Sequence, residues 1–312
     1  MELLIWGAVF VAALAALIKG ADWVLDSSQK IGLALGMSPF LVGVLIIGFG
    51  TSLPELASSV FGMMSGATEI PAANAIGSNI ANILLVVGLA AVFSRSALTM
   101  TKNLIDLEIP LLSLVTLIFF GIAYDGVITG GESLFLLASF VLYILYSFFQ
   151  KDTVDHSSPI EKPKLSVRDF VMLLVGFVLL VGGAKYLIDA VLSISAMAGI
   201  AVGVVTIFAV AIGTSLPELI VSIKAAVAGN AEVSIGNIFG SNIFNLLLVV
   251  GASGLFGVQW LDGATVALAL PMLLATTFLF VISGISNRIH VWEGAFYLLA
   301  YVLFSAKLFG LL

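Results

Sequence analysis

Cysteine is absent from this 312-residue chain, which rules out disulfides, thiolate metal sites and cysteine nucleophiles. Histidine is nearly absent. His156 and His290 are the only two, one in a polar linker and one at the edge of an apolar run, so no general base stands beside Ser52 or Ser215 as an intramembrane serine protease would need. Charge is scarce too: Asp, Glu, Lys and Arg make up 10% of the residues against 61% apolar, with a mean hydropathy of +1.22. Those values lie far outside the range of water-soluble domains. The net charge of −6 argues against nucleic acid as a partner, since basic surfaces bind it.

What the chain has in abundance is long apolar runs. About 20 residues at a 1.5 Å rise cross a hydrocarbon core of about 30 Å. Runs of that kind predict ten transmembrane helices, near 3–22, 39–65, 72–94, 104–124, 132–149, 169–190, 203–228, 233–256, 264–284 and 290–310. The runs are continuous and do not alternate with polar residues, which argues against a barrel. The fold class expected is an all-α membrane protein. Its start, MELLIWGAVF, lacks a positive n-region and reads as the first span, not as a cleaved signal.

One polar stretch, QKDTVDHSSPIEKPKLS, separates 1–149 from 167–312 as a linker at 150–166. Positive residues gather in cytoplasmic loops. Lys30, Arg95, Lys102, Lys151, Lys162, Lys164, Arg168, Lys224 and Arg288 fall in or beside the loops after spans 1, 3, 5, 7 and 9, and the opposite loops have none. This predicts a multi-pass protein of the cell membrane with both termini outside and the linker cytoplasmic.

The two halves carry one motif. GFGTSLPEL begins at Gly48 and AIGTSLPEL at Ala211; aligning 50–93 with 213–256 needs no gap, and 22 of the 44 pairs are identical. Five spans separate equivalent points, an odd number, so the second copy is expected upside down relative to the first. Two inverted five-helix repeats are the plan of secondary transporters, which hold substrate near the bilayer midplane on broken helices.

Each motif places one acid in the middle of a span. Glu55 is the only ionisable side chain between Lys30 and Glu69, and Glu218 the only one between Asp189 and Lys224. A carboxylate there costs several kcal/mol unless it is paired or faces water, and spans 2, 3, 7 and 8 have no mid-span Lys or Arg. The counter-charge must come from outside the chain. Pro54 and Pro217 lack the N–H that would bond Gly50 and Gly213, which predicts a break at each glycine and free carbonyls beside it. Thr51 shares a helical face with Glu55, and Thr214 with Glu218, while Ser52 and Ser215 lie one step round. In the following spans Asn74, Ser78 and Asn82 form a stripe matched by Asn237, Ser241 and Asn245. Every group offered is oxygen, which suits Ca²⁺ and the similarly sized Na⁺. Asn79 and Asn242 point off the stripe and read as interhelical hydrogen bonds. Gly77, Gly88, Gly240 and Gly251 read as packing positions.

GTSLPE with GSNIAN, then GTSLPE with GSNIFN, resembles the two α-repeats of the sodium/calcium exchanger family, within the cation/calcium exchanger superfamily, over essentially the whole chain. The resemblance implies a metal site built from Thr51, Ser52, Glu55, Ser78 and Asn82 with Thr214, Ser215, Glu218, Ser241 and Asn245, and sodium ligation by the carbonyls of Gly48 and Ala211. It also implies that spans 1 and 6 slide over the other eight; Asp22 and Lys185, at equivalent places on them, read as interfacial anchors. Asn245 stands where some relatives carry Asp, so the site holds two carboxylates, which resembles the potassium-independent exchangers. The implied activity is Na⁺/Ca²⁺ antiport by one chain acting as a monomer in the lipid bilayer, with no cofactor and no enzyme chemistry. A proton/calcium exchanger of the same superfamily is the alternative, and a cation channel a more distant one.

Overall fold

The computed structural model describes residues 2–35, 52–94, 97–99, 108–149, 164–229 and 231–312. The expected ligands Gly48 and Thr51, the first half of span 2 and most of the linker lie outside the described residues. Lipid offers the backbone no hydrogen bonds, so a spanning chain must satisfy its own, and this one does so as helices. They are α1 (Glu2–Ala34), α2 (Leu53–Met64), α3 (Ile70–Phe93), α4 (Ile109–Ala123), α5 (Gly130–Phe149), α6 (Val167–Ala198), α7 (Val202–Thr214), α8 (Leu216–Val227), α9 (231–253), α10 (Thr265–Ile285) and α11 (Val291–Leu308).

Among the described residues six helices are long and apolar enough to cross a membrane, and α7 with α8 makes a seventh as a bent pair. Ile109–Ala123 and Gly130–Tyr146 are apolar but shorter. Two helices run well past the expected ends of their spans: α1 continues to Ala34 and α6 to Ala198. Two short antiparallel pairs tie distant connections together, β1 (Leu98–Thr99) with β4 (Arg288–Ile289) and β2 (Val127–Ile128) with β3 (Gln259–Trp260). Turns between equivalent helices are also alike: Gly66 and Gly229 both adopt left-handed backbone, at φ 79° and 83°, where a side chain would be strained.

The core is centred on α3 and α9. Every residue from Ile70 to Ala81 is buried, and 78% of the most apolar window of α3 and of α9 is covered, against 17% for α1 and 33% for α6. α1 and α6 are therefore outer helices, presenting Leu4, Val11, Leu174, Phe177 and Val178 outward. Their own apolar cluster, with Leu17, Leu180, Leu187 and Val191, is separate from the main core.

Small residues set how closely the helices approach, as membrane packing requires where no hydrophobic force drives helix against helix. A Cβ at Gly20 would lie 2.4 Å from Leu180 N and 2.7 Å from Gly176 O; one at Gly183 would lie 2.6 Å from Leu17 N and 2.9 Å from Ala13 O. The contacts run Ala13 to Gly183, Trp23 to Gly176 and Lys30 to Asp169, so α1 and α6 are antiparallel. Of the glycines expected to pack, Gly77 meets Ile207 and Ala211 of α7, Gly88 meets α11, and Gly251 meets Leu137 and Ser133 O of α5. At Gly240 a Cβ would meet no described atom within 4 Å.

Gly183→Ala is expected to lower the thermal midpoint of the detergent-purified protein by several degrees, reflecting about 1–3 kcal/mol of overpacking at the α1–α6 crossing. Gly182→Ala, next to it but with nothing within 4 Å, is expected to leave the midpoint within about a degree of the parent.

Candidate ion-binding site

Proline sets the local geometry. Pro217 cannot bond the Gly213 carbonyl, and the chain bends by 46° between α7 and α8. Ser215 occupies the bend at φ −81° and ψ 7°, and Ser52 has nearly the same backbone, φ −93° and ψ 8°, where α2 begins. The break expected at the glycine thus falls on the serine instead. The reason is that the Ser215 N–H still reaches the Ala211 carbonyl, at 3.1 Å. The Thr214 hydroxyl also lies 3.4 Å from the same oxygen, so the break does not release that carbonyl.

Below the break stand the acids. Glu55 and Glu218 are each fully buried, as are Thr214, Ser78 and Asn82, and Ser52, Ser215, Ser241 and Asn245 are nearly so. Ser215 donates to Glu55 Oε1 at 3.3 Å, and Thr214 bonds the same carboxylate. The second motif therefore reaches into the first. Glu218 accepts from Ser241, a residue of its own half, at 3.3 Å. Ser52 Oγ, Ser78 Oγ, Glu55 Oε2, Asn82 Oδ1 and Asn245 Oδ1 are buried with no hydrogen-bond partner among the described residues. Buried oxygens of that kind are costly unless something satisfies them; a bare cation would.

Two ion pairs lie on the outer helices, Lys19–Asp22 within α1 and Lys30–Asp169 between α1 and α6. Asp22 pairs with Lys19 on its own helix, and Lys185 lies over the ring of Tyr186, so the two equivalent positions do not meet. No three His, Cys, Asp or Glu side chains converge among the described residues, which leaves the centre with its two carboxylates.

Asn74 and Asn237 hold the helices together. Asn74 Nδ2 donates to the Glu55 carbonyl at 3.3 Å and to the hydroxyls of Ser58 and Ser59 at 3.2 and 3.1 Å, and Asn237 Nδ2 donates to Ser222 at 3.2 Å. Sequence reasoning passed over these serines. Their spacing from the glutamates was the available signal: Ser58 follows Glu55 by three residues, and Ser222 follows Glu218 by four. It gave no sign of the π-helical turns at Asn82–Val87 and Asn245–Val249. Both begin on an asparagine expected as a ligand, and π-turns often mark functional sites.

A bundle of spanning helices, broken at its centre around buried carboxylates and oxygen donors, defines a membrane transporter of small cations. The chain belongs to the sodium/calcium exchanger family: the family model described as "Sodium/calcium exchanger protein" matches residues 5–149 and again 169–310. The chain is 32% identical to the putative antiporter CaxA of Alkalimonas amylolytica, over 97% of this chain and 98% of that protein. It is 29% identical to the sodium/calcium exchanger MaX1 of Methanosarcina acetivorans, over 96% and 97%. The solved structure of the sodium-calcium exchanger NCX_Mj superposes with a TM-score of 0.66 at 29% identity, covering 96% of this chain and 98% of that one.

Glu55→Gln and Glu218→Gln are each expected to abolish Ca²⁺ flux into proteoliposomes while the purified protein keeps its thermal midpoint, since each removes half the charge and little of the volume. Normal flux in either variant would sink the assignment of the site.

Proposed function

We propose that the protein is a secondary-active antiporter that exchanges Na⁺ for Ca²⁺, three for one, by alternating access across the cell membrane. The observation that carries this is the pair of fully buried glutamates, one from each copy of the motif, set among oxygen donors. Thr51, Ser52, Glu55, Ser78 and Asn82, with Thr214, Ser215, Glu218, Ser241 and Asn245, are the proposed ligands, and the carbonyls of Gly48 and Ala211 further sodium ligands. One Ca²⁺ neutralises two carboxylates; three Na⁺ overcompensate them. One occupancy excludes the other, and if only an occupied site lets the outer helices move, flux of the two ions is coupled.

The proposed frame is ten spans in two inverted halves, 1–149 and 167–312, with the linker cytoplasmic and the termini outside. Three features support it. Equivalent contacts recur at an offset of 163 residues, as in Asn74–Ser59 and Asn237–Ser222. α1 and α6 are antiparallel. Each strand pair also joins connections of one parity, those after spans 3 and 9 and those after spans 4 and 8.

An outward Na⁺ gradient is expected to drive ⁴⁵Ca²⁺ into sodium-loaded proteoliposomes without K⁺ on either side. Uptake that survives collapse of the sodium gradient but stops with a proton gradient would identify the proton-coupled exchanger instead. Sodium exit carries three positive charges out against two in, and one charge is worth about 2.3 kcal/mol per 100 mV. Inside-positive voltage is therefore expected to speed Na⁺-driven uptake and inside-negative voltage to slow it. Indifference to voltage would mean two sodium ions per calcium.

A further inference from the structure

Asn79 and Asn242 lie outside the proposed ligand set, yet they are buried at its edge and bonded across the two halves. Asn79 Nδ2 donates to the Asn242 carbonyl at 3.0 Å, and Asn79 Oδ1 accepts from Asn245 Nδ2 at 3.1 Å. In the other half Asn82 Nδ2 donates to Asn242 Oδ1 at 3.0 Å. The two side-chain amide hydrogen bonds are equivalents of one another at the 163-residue offset. Each joins the asparagine that opens one π-helical turn to the asparagine three residues before the other.

An asparagine side chain presents oxygen at one end and hydrogens at the other, and only its hydrogen bonds decide which end faces which way. A backbone carbonyl can only accept, so the bond to Asn242 O fixes the NH₂ end of Asn79. Its oxygen must then take the remaining contact, and only the NH₂ end of Asn245 can supply it. Asn245 Oδ1 is thereby left as the open end. It is buried with no hydrogen-bond partner among the described residues, and Asn82 Oδ1 is in the same condition. Turned over, either amide would present hydrogens to a cation. An aspartate would need no such guide, since both its ends are oxygen.

We infer that Asn79 and Asn242 are positioning residues, each holding the amide of the opposite half's asparagine, Asn245 and Asn82, so that its oxygen and not its hydrogens is offered to the transported cation. This rests on the proposed role of Asn82 and Asn245 as ligands. Asn79 is anchored by a backbone carbonyl, whereas Asn242 Nδ2 has no partner among the described residues, so Asn79 is the stronger guide of the two.

The test is a double-mutant cycle on the half-saturating Ca²⁺ concentration for uptake by sodium-loaded proteoliposomes. Loss of a group that orients a metal ligand typically weakens metal affinity by about 10- to 100-fold. Asn79→Ala and Asn245→Ala are each expected to raise the half-saturating concentration about tenfold, and the double variant to raise it no further. Asn242→Ala with Asn82→Ala should behave alike with a smaller effect. The crossed pairs, Asn79 with Asn82 and Asn242 with Asn245, should multiply. In an Asn245→Asp background Asn79→Ala, or the milder Asn79→Ser, should no longer raise it. Multiplying effects within the bonded pairs would overturn the inference, as would an Asn79→Ala effect that persists in the Asn245→Asp background or appears only as a lower thermal midpoint. If Asn82→Ala and Asn245→Ala both leave Ca²⁺ affinity unchanged while Glu55→Gln abolishes flux, the ligand role of the asparagines fails and the antiport reading stands.

Discussion

Charge cannot be stored in a lipid-embedded helix bundle without a counter-charge, and spans 2, 3, 7 and 8 carry no mid-span lysine or arginine to supply one. Lys19 and Lys30, both on α1, pair with Asp22 and Asp169. The donors that reach Glu55 and Glu218 from Thr214, Ser215 and Ser241 are neutral hydroxyls. Those bonds soften the cost of burial but carry no charge. Around the acids stand the bend at Ser215, the π-turns at Asn82 and Asn245, and buried oxygens whose hydrogen bonds are unmet among the described residues.

Much of this was legible in the residues. The apolar runs, the repeated GTSLPE and GSNxxN motifs and the isolated acids marked the helices and the centre, because burial of a lone carboxylate is rare enough to mean something. Gly77, Gly88 and Gly251 were legible as packing positions, since small residues in apolar helices permit close approach. Other features depend on tertiary balance and left no trace in the pattern. Pro217 predicted a break, but whether it fell on Gly213 or Ser215 depended on the Ser215 N–H keeping its bond to Ala211 O. The lengths of α1 and α6 were underestimated because Asp22, Asp26, Asp189 and their neighbours ended the apolar runs before the helices ended. The roles of Asn79 and Asn242 could be read only as far as interhelical bonding; which atoms bond which required the crossing of the two halves.

Pseudo-symmetry is kept in the backbone and broken in the hydroxyls. Ser52 and Ser215 share their backbone conformation, yet Ser215 crosses to Glu55 while Ser52 Oγ has no partner among the described residues. Ser241 bonds Glu218, while Ser78 Oγ has no such partner there. Equivalent residues thus present the two acids differently, although the bonds that join helices through Asn74 and Asn237, and those between the side-chain amides of the central asparagines, are repeated in kind.

The interactions that bind the two halves together differ in kind from those that hold the outer helices. α3 and α9 are joined by three amide hydrogen bonds, Asn79 to Asn242, Asn82 to Asn242 and Asn245 to Asn79, and Ser215 ties the second motif to Glu55. Shifting one half against the other at the centre would break several buried polar bonds at once, each costing roughly 1–3 kcal/mol. α1 and α6 are held differently. They pack backbone to backbone on each other at Gly20 and Gly183, and an apolar cluster joins them to the rest, where Leu14 of α1 lies against Gly213 beside the motif. Apolar surfaces slide at little cost because one apolar neighbour takes the place of another as they shift, whereas a directional hydrogen bond has no such continuum. The tight crossing packs α1 and α6 as one unit, joined to the rest across an apolar seam, whereas α3 and α9 are locked to each other by directional amide hydrogen bonds.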